Sequence, residues 1–106
     1  MSPRYERLLH MLAEQPDDDF LQYAKAMEER KLGRPAEAAA TLSTLLRRNP
    51  DYVGGYFHLA ALHAELADTV ATEQTYRTGI EVAQRVGDQH ALAELRNAYV
   101  NWQLEV

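Results

Sequence analysis

No cysteine occurs among the 106 residues. That absence removes a disulfide framework, a thiolate metal site and a cysteine nucleophile together. Glycine (5) and proline (4) are scarce, too scarce to punctuate the turns of a many-stranded β protein. No apolar run approaches the roughly 18 residues of a membrane span. Positive charge is short as well: 11 Lys and Arg stand against 16 Asp and Glu, for a net charge of −5. Neither a nucleic acid nor an anionic membrane surface is therefore expected as a partner, because no basic excess exists to displace counterions. The segment from Met1 to Gln15 carries Leu8, Leu9, Met11 and Leu12 but is interrupted by His10. It has no continuous apolar stretch and no small-residue cleavage site, so no signal peptide is expected and a cytoplasmic location is the default. Phosphate-cradling glycine loops, nucleophile elbows and H-E-x-x-H motifs are all missing. The sequence therefore offers no catalytic constellation, and no enzyme activity or cofactor is expected.

What is present is an ordinary soluble balance, 46% hydrophobic and 25% charged, arranged in a repeat. Shifted by 34 residues against itself, the sequence sets Pro16 on Pro50 and Asp17 on Asp51. Leu8 meets Leu42 and then Tyr76; Leu12 meets Leu46 and then Ile80. Ala26 meets Ala60, Leu32 meets Leu66, and Gly33 meets Ala67. The agreement of these matches on one offset is the signal.

Each period reads as two helices. Ser2-Pro3 supplies an N-cap and first-turn proline for a helix reaching Glu14. Asp17, Asp18 and Asp19 supply a cap and acidic first turn for a second helix, about 18–32, closed by Gly33. Pro35 opens a third, whose stripe of Ala38, Leu42, Leu45 and Leu46 keeps helical spacing up to Pro50. A fourth, about 52–66, carries Tyr56, Leu59, Ala60 and His63 on one face. Asp68 or Thr69 caps a fifth with the stripe Thr72, Tyr76, Gly79, Ile80 and Ala83. Gly87 and Asp88 turn the chain into a sixth, about 89–104. Connections this short force antiparallel neighbours.

A 34-residue helix–turn–helix period resembles the tetratricopeptide repeat, whose pattern is W-x2-L-G-x2-Y, then A-x3-F, then P. Tyr56, Leu59, Ala60, His63, Thr72 and Tyr76 stand in phase with it in the second repeat, and Gln84 replaces the closing proline. The first repeat offers Ala26, Gly33, Ala38, Leu42 and Pro50. It departs at Gln22, Lys25 and Glu29, which points to packing of the second helix through Leu21, Ala24 and Met27 in a rotated register. Leu8, Met11, Leu12 and Pro16 match the second half of a repeat. The resemblance spans about residues 4–86.

The resemblance implies an all-α fold of about six helices, with antiparallel helix–turn–helix repeats stacked in a right-handed superhelix. Its expected order is a half repeat (2–18), two repeats (19–52 and 53–86) and a capping helix (88–104). In that cap Leu92, Leu95, Ala98, Tyr99 and Trp102 face inward. Gln89, Glu94, Arg96, Asn97 and Gln103 face water.

The resemblance further implies a non-catalytic scaffold whose concave groove holds a peptide or helix of a partner protein. Carried over in phase, the groove residues are Phe20, Tyr23, Met27, Arg30 and Lys31, then Phe57 and Ala61, with Leu95 from the sixth helix. The family's carboxylate-clamp subtype uses Lys, Asn and Arg where Tyr23, Met27, Phe57 and Ala61 stand here, so an apolar occupant is implied instead. The alternatives are that the sixth helix or a second copy of the chain covers these side chains. A homodimeric self-assembly unit and a secretion-chaperone-like adaptor are the other functional readings. No metal site is expected. His58 and His63 lie five residues apart, about 140° around a helix, and share no ligand face. The Asp17–Asp19 run lacks the glycine turn and distal glutamate of a calcium loop.

Overall fold

The computed structural model describes residues 2–106. Six helices follow one another: α1 (Pro3–Glu14), α2 (Asp19–Lys31), α3 (Pro35–Arg48), α4 (Gly54–Glu65), α5 (Thr69–Val86) and α6 (Gln89–Glu105). Four of the six starts, those of α1, α2, α5 and α6, are set by side chains placed to accept orphan amide protons. Ser2 accepts from the Tyr5 amide, Asp18 from Leu21, Asp68 from Ala71 and Asp88 from Ala91, each worth about 1 kcal/mol. Within each pair the first helix ends in a left-handed turn, at Gly33 (φ +77°) and at Ala67 (φ +58°). The amides of Arg34 and Asp68 reach back there to the carbonyls of Glu29 and His63, closing the same C-terminal motif at both turns. The 34-residue period is thus a period in backbone conformation. The fourth helix begins at Gly54, two residues later than the sequence pattern suggested.

Each helix packs on the next in the chain, and α6 also reaches α4. The principal core runs along this line through Ala26, Leu42, Leu45, Leu59, Ala60, Leu62, Tyr76 and Leu95. A smaller cluster of Leu8, Leu12, Leu21 and Ala24 joins α1 to α2. Ala26 and Ala60, both fully buried, let the helices of each pair approach closely.

The second helix does not rotate away from the repeat register. Leu21 and Ala24 do pack, but against α1, while Ala26 keeps its place in the main core. The polar residues at the family's apolar positions are satisfied by hydrogen bonds instead of being turned outward. Glu29, 1% exposed, accepts from the Tyr5 hydroxyl (2.7 Å), Lys25 Nζ (2.8 Å) and the Thr41 hydroxyl (2.7 Å). Gln22 Nε2 donates to the Pro16 carbonyl. A buried carboxylate is tolerated when paired and hydrogen-bonded in this way.

The sixth helix corrects one register. Leu92, Leu95 and Tyr99 take the packing roles of Tyr56, Leu59 and His63, two residues later than the 34-residue period places them. α5 is longer than α3, 18 residues against 14, and the connection after it is shorter, so the 34-residue phase is lost before α6. In that register the exposed Arg96 stands where Ala26 and Ala60 are buried. A charged side chain there opposes close approach of a further helix.

Candidate partner-binding groove

The first helices of the successive pairs, α2, α4 and α6, line one face of the array, and α3 and α5 line the other. On α2 the groove positions Tyr23, Met27 and Arg30 are half-buried, while Lys31 is exposed and Phe20 is 66% exposed. On α4, Phe57 and Ala61 are half-buried. Tyr23, Met27 and Phe57 rest on the principal core, which fixes their rotamers from beneath while their outer surfaces stay accessible.

Leu95 does not belong to this surface. It is 1% exposed, packed in the core beneath Gly79, where a Cβ on the glycine would lie 3.3 Å from it. The register of α6 explains the correction. With Leu95 inward, Glu94 and Asn97 are the exposed residues that flank it on α6.

His58, which the sequence pattern brings forward only as a metal-ligand candidate, packs between the groove positions Tyr23 and Phe57. Its ring lies edge-on to Tyr23 (centroids 5.5 Å apart) and to Phe57 (5.3 Å). Tyr52 joins Tyr23 from the other side at 5.9 Å. The four rings form a ledge bridging α2, α4 and the turn before α4. The His58 Nδ1 atom is buried and holds no hydrogen bond among the described residues. Burial, helped by the Arg30 charge, pushes the imidazole below its ordinary value of 6.5, against a smaller opposing pull from Glu94. The ring is therefore neutral at physiological pH. Burial and then Glu94 push the Tyr23 phenol up, so the Glu94 carboxylate acts on both ring systems. Position in the repeat was the available signal for His58, since it neighbours Phe57 on the groove helix.

Arg30 is not a free cation. Its guanidinium bonds Glu65 at 2.6 Å, tying α2 to α4. Lys31 stands beyond it with no carboxylate within ion-pair distance among the described residues. The groove thus has an aromatic end near Glu94 and a basic end at Lys31. No group of three or more His, Asp or Glu among the described residues is arranged to hold a metal ion. No helix described is long and apolar enough to cross a membrane.

Trp102 is half-buried and takes part in packing. It stacks on Tyr99 (6.3 Å) and tilts against Tyr76 (6.2 Å), while Tyr76 and Tyr99 stack at 5.4 Å. The Tyr99 hydroxyl donates to Glu73, which also accepts from Arg77. This ladder fastens α6 to α5.

The architecture is that of an all-α helical-repeat array of antiparallel pairs, each helix packed on the next. The chain is similar to the tetratricopeptide repeat domain protein of Salinibacter ruber. Against its crystal structure the identity is 40%, over 79% of this chain and 93% of that one, with a TM-score of 0.75. Against its solution structure the identity is 41%, over 81% and 87%, with a TM-score of 0.77. The solution structure of a Bordetella parapertussis protein matches over 99% of this chain and 91% of that one, at 25% identity and TM-score 0.85. No family model matches the chain, and no curated protein sequence matches it. The chain belongs to the tetratricopeptide repeat family.

Proposed function

We propose that this protein is a non-catalytic interaction module that holds a peptide or helix of a partner protein in the groove lined by α2, α4 and α6. The observation that carries this reading is the ledge of Tyr23, His58 and Phe57, aromatic side chains seated on the core yet accessible from the groove. Rigid aromatic anchors with one polar edge are the residues on which interface energy concentrates. Met27 and Ala61 extend the apolar floor, and Glu94 and Lys31 give its two ends opposite charge, which orients an occupant.

The test is the double substitution Tyr23→Ala with Phe57→Ala, assayed for capture of partner from native lysate. Capture falls by about a thousandfold, since two anchors are each worth about 2 kcal/mol or more, while helical circular dichroism is retained. Full capture by the folded double variant contradicts the reading.

A further inference from the structure

The convex face holds a second concavity, distinct from the groove. α3 packs on α2 and α4, and α5 on α4 and α6, so α4 spans the base of the gap between α3 and α5. The result is a cleft of about 320 Å³, within the range that small-molecule sites occupy. Its floor is apolar, formed by Leu46, Tyr56 and Leu59, and Arg47, His63 and Gln74 stand among its walls. The Tyr56 hydroxyl is already spent on the Pro50 carbonyl, which leaves the floor as packing surface.

The charge around this cleft runs against that of the molecule. The chain carries a net −5, yet no Asp or Glu lines the cleft. Arg30, Arg48, Arg77 and Arg85 are all engaged by carboxylates at 2.5–2.6 Å. Arg47 has no such partner among the described residues, and its one side-chain hydrogen bond there, to the Thr44 hydroxyl, is a long 3.2 Å. A guanidinium without a carboxylate beside an apolar floor is complementary to one ligand chemistry, an apolar body with an anionic head.

We propose that the cleft between α3 and α5 is a binding site for small apolar carboxylates, with Arg47 pairing the carboxylate and Leu46, Tyr56 and Leu59 receiving the apolar body. A free organic acid and the C-terminal residue of an apolar peptide present this same chemistry. The site does not depend on the concave groove, so the two readings fail independently.

The experiment is an amide-resolved NMR titration of the full chain at neutral pH with 4-phenylbutyrate, with N-acetyl-leucine, and with 4-phenylbutyramide as the uncharged control. Saturable shifts are expected at Ala71, Gln74 and Thr78 and not at Tyr23 or Phe57. The better acid binds about tenfold tighter than the amide, a ratio equal to about 1.4 kcal/mol. Tighter binding of 4-phenylbutyrate assigns the site to free acids and tighter binding of N-acetyl-leucine to peptide termini; either supports the proposal. Arg47→Gln, an exposed position whose loss leaves the fold intact, brings the acid down to the affinity of the amide. The proposal is overturned by the absence of saturable shifts up to about 10 mM ligand, by shifts confined to the groove, or by unchanged acid affinity in Arg47→Gln.

Discussion

The Tyr5 hydroxyl donates a 2.7 Å hydrogen bond to the Glu29 carboxylate, joining α1 to α2. Glu29 stands where the family pattern has a first-helix tyrosine, and Tyr5 on α1 supplies a hydroxyl to it. Burial pushes the Glu29 carboxyl up, but the bonds from Lys25, Thr41 and Tyr5 outweigh it and hold the group below its ordinary 4.5. The same contact contributes, after burial, to a Tyr5 phenol pushed up to about 12.

The first prediction is a pH dependence. A carboxyl whose folded pKa is depressed binds fewer protons folded than unfolded, so its stabilisation is complete above about pH 4.5 and lost as pH falls through the folded value. Asp19, lowered by its bonds from Arg48 and Asn49, adds to the same acid limb. Glu29→Gln flattens that limb and costs about 1–3 kcal/mol at neutral pH, because Lys25 loses its ion pair. Urea titrations of both proteins between pH 3 and 7 read the difference.

Gly79 lies under Tyr56, where an added Cβ would approach the Tyr56 Cβ to 2.7 Å. Alanine normally improves a helix interior by about 0.5–1 kcal/mol over glycine. Here overpacking of about 1–3 kcal/mol outweighs that gain, because the obstructing atom is held close to the backbone. Gly79→Ala is expected to lower the melting temperature, as thermal circular dichroism would record.

Ala67 adopts φ +58° where the preceding pair uses Gly33 at +77°. A Cβ in that conformation costs about 1–2 kcal/mol. Ala67→Gly is expected to raise the midpoint of urea unfolding, and Gly33→Ala to lower it, with the slope of the transition unchanged in both.

Leu95→Ala separates core from surface. At 1% exposure its truncation costs about 2–5 kcal/mol, measurable by urea unfolding. Where the variant remains folded, partner capture by the groove is expected to persist, since the side chain is absent from the groove surface.

The helical pairs were legible because their determinants are local. Asp18, Asp68 and Asp88 cap within three residues, and the stripe through Leu42, Leu45 and Leu46 reports its own burial. The period fixes which face of α2 and α4 Tyr23, Met27 and Phe57 occupy, and all three rest on the core there. Leu95 could not be placed, because the longer α5 and the shorter connection after it lose the 34-residue phase before α6. The Glu29 partners Tyr5 and Thr41, and the Arg30–Glu65 pair, come from other helices. Nothing in the local pattern around Lys25 and Glu29 reveals that a hydroxyl from α1 and another from α3 will satisfy a buried charge. The place of His58 depended on the packing of two rings from different helices.

The central claim is that the groove lined by α2, α4 and α6 meets the protein partner. A photo-crosslinking residue placed at Ala61 in the groove, and separately at the exposed Ala40 on α3, tests it in the native lysate. The account predicts a discrete partner adduct from the Ala61 position, lost when Tyr23→Ala and Phe57→Ala are added, and none from Ala40. The same adduct from Ala40, with none from Ala61, would contradict it.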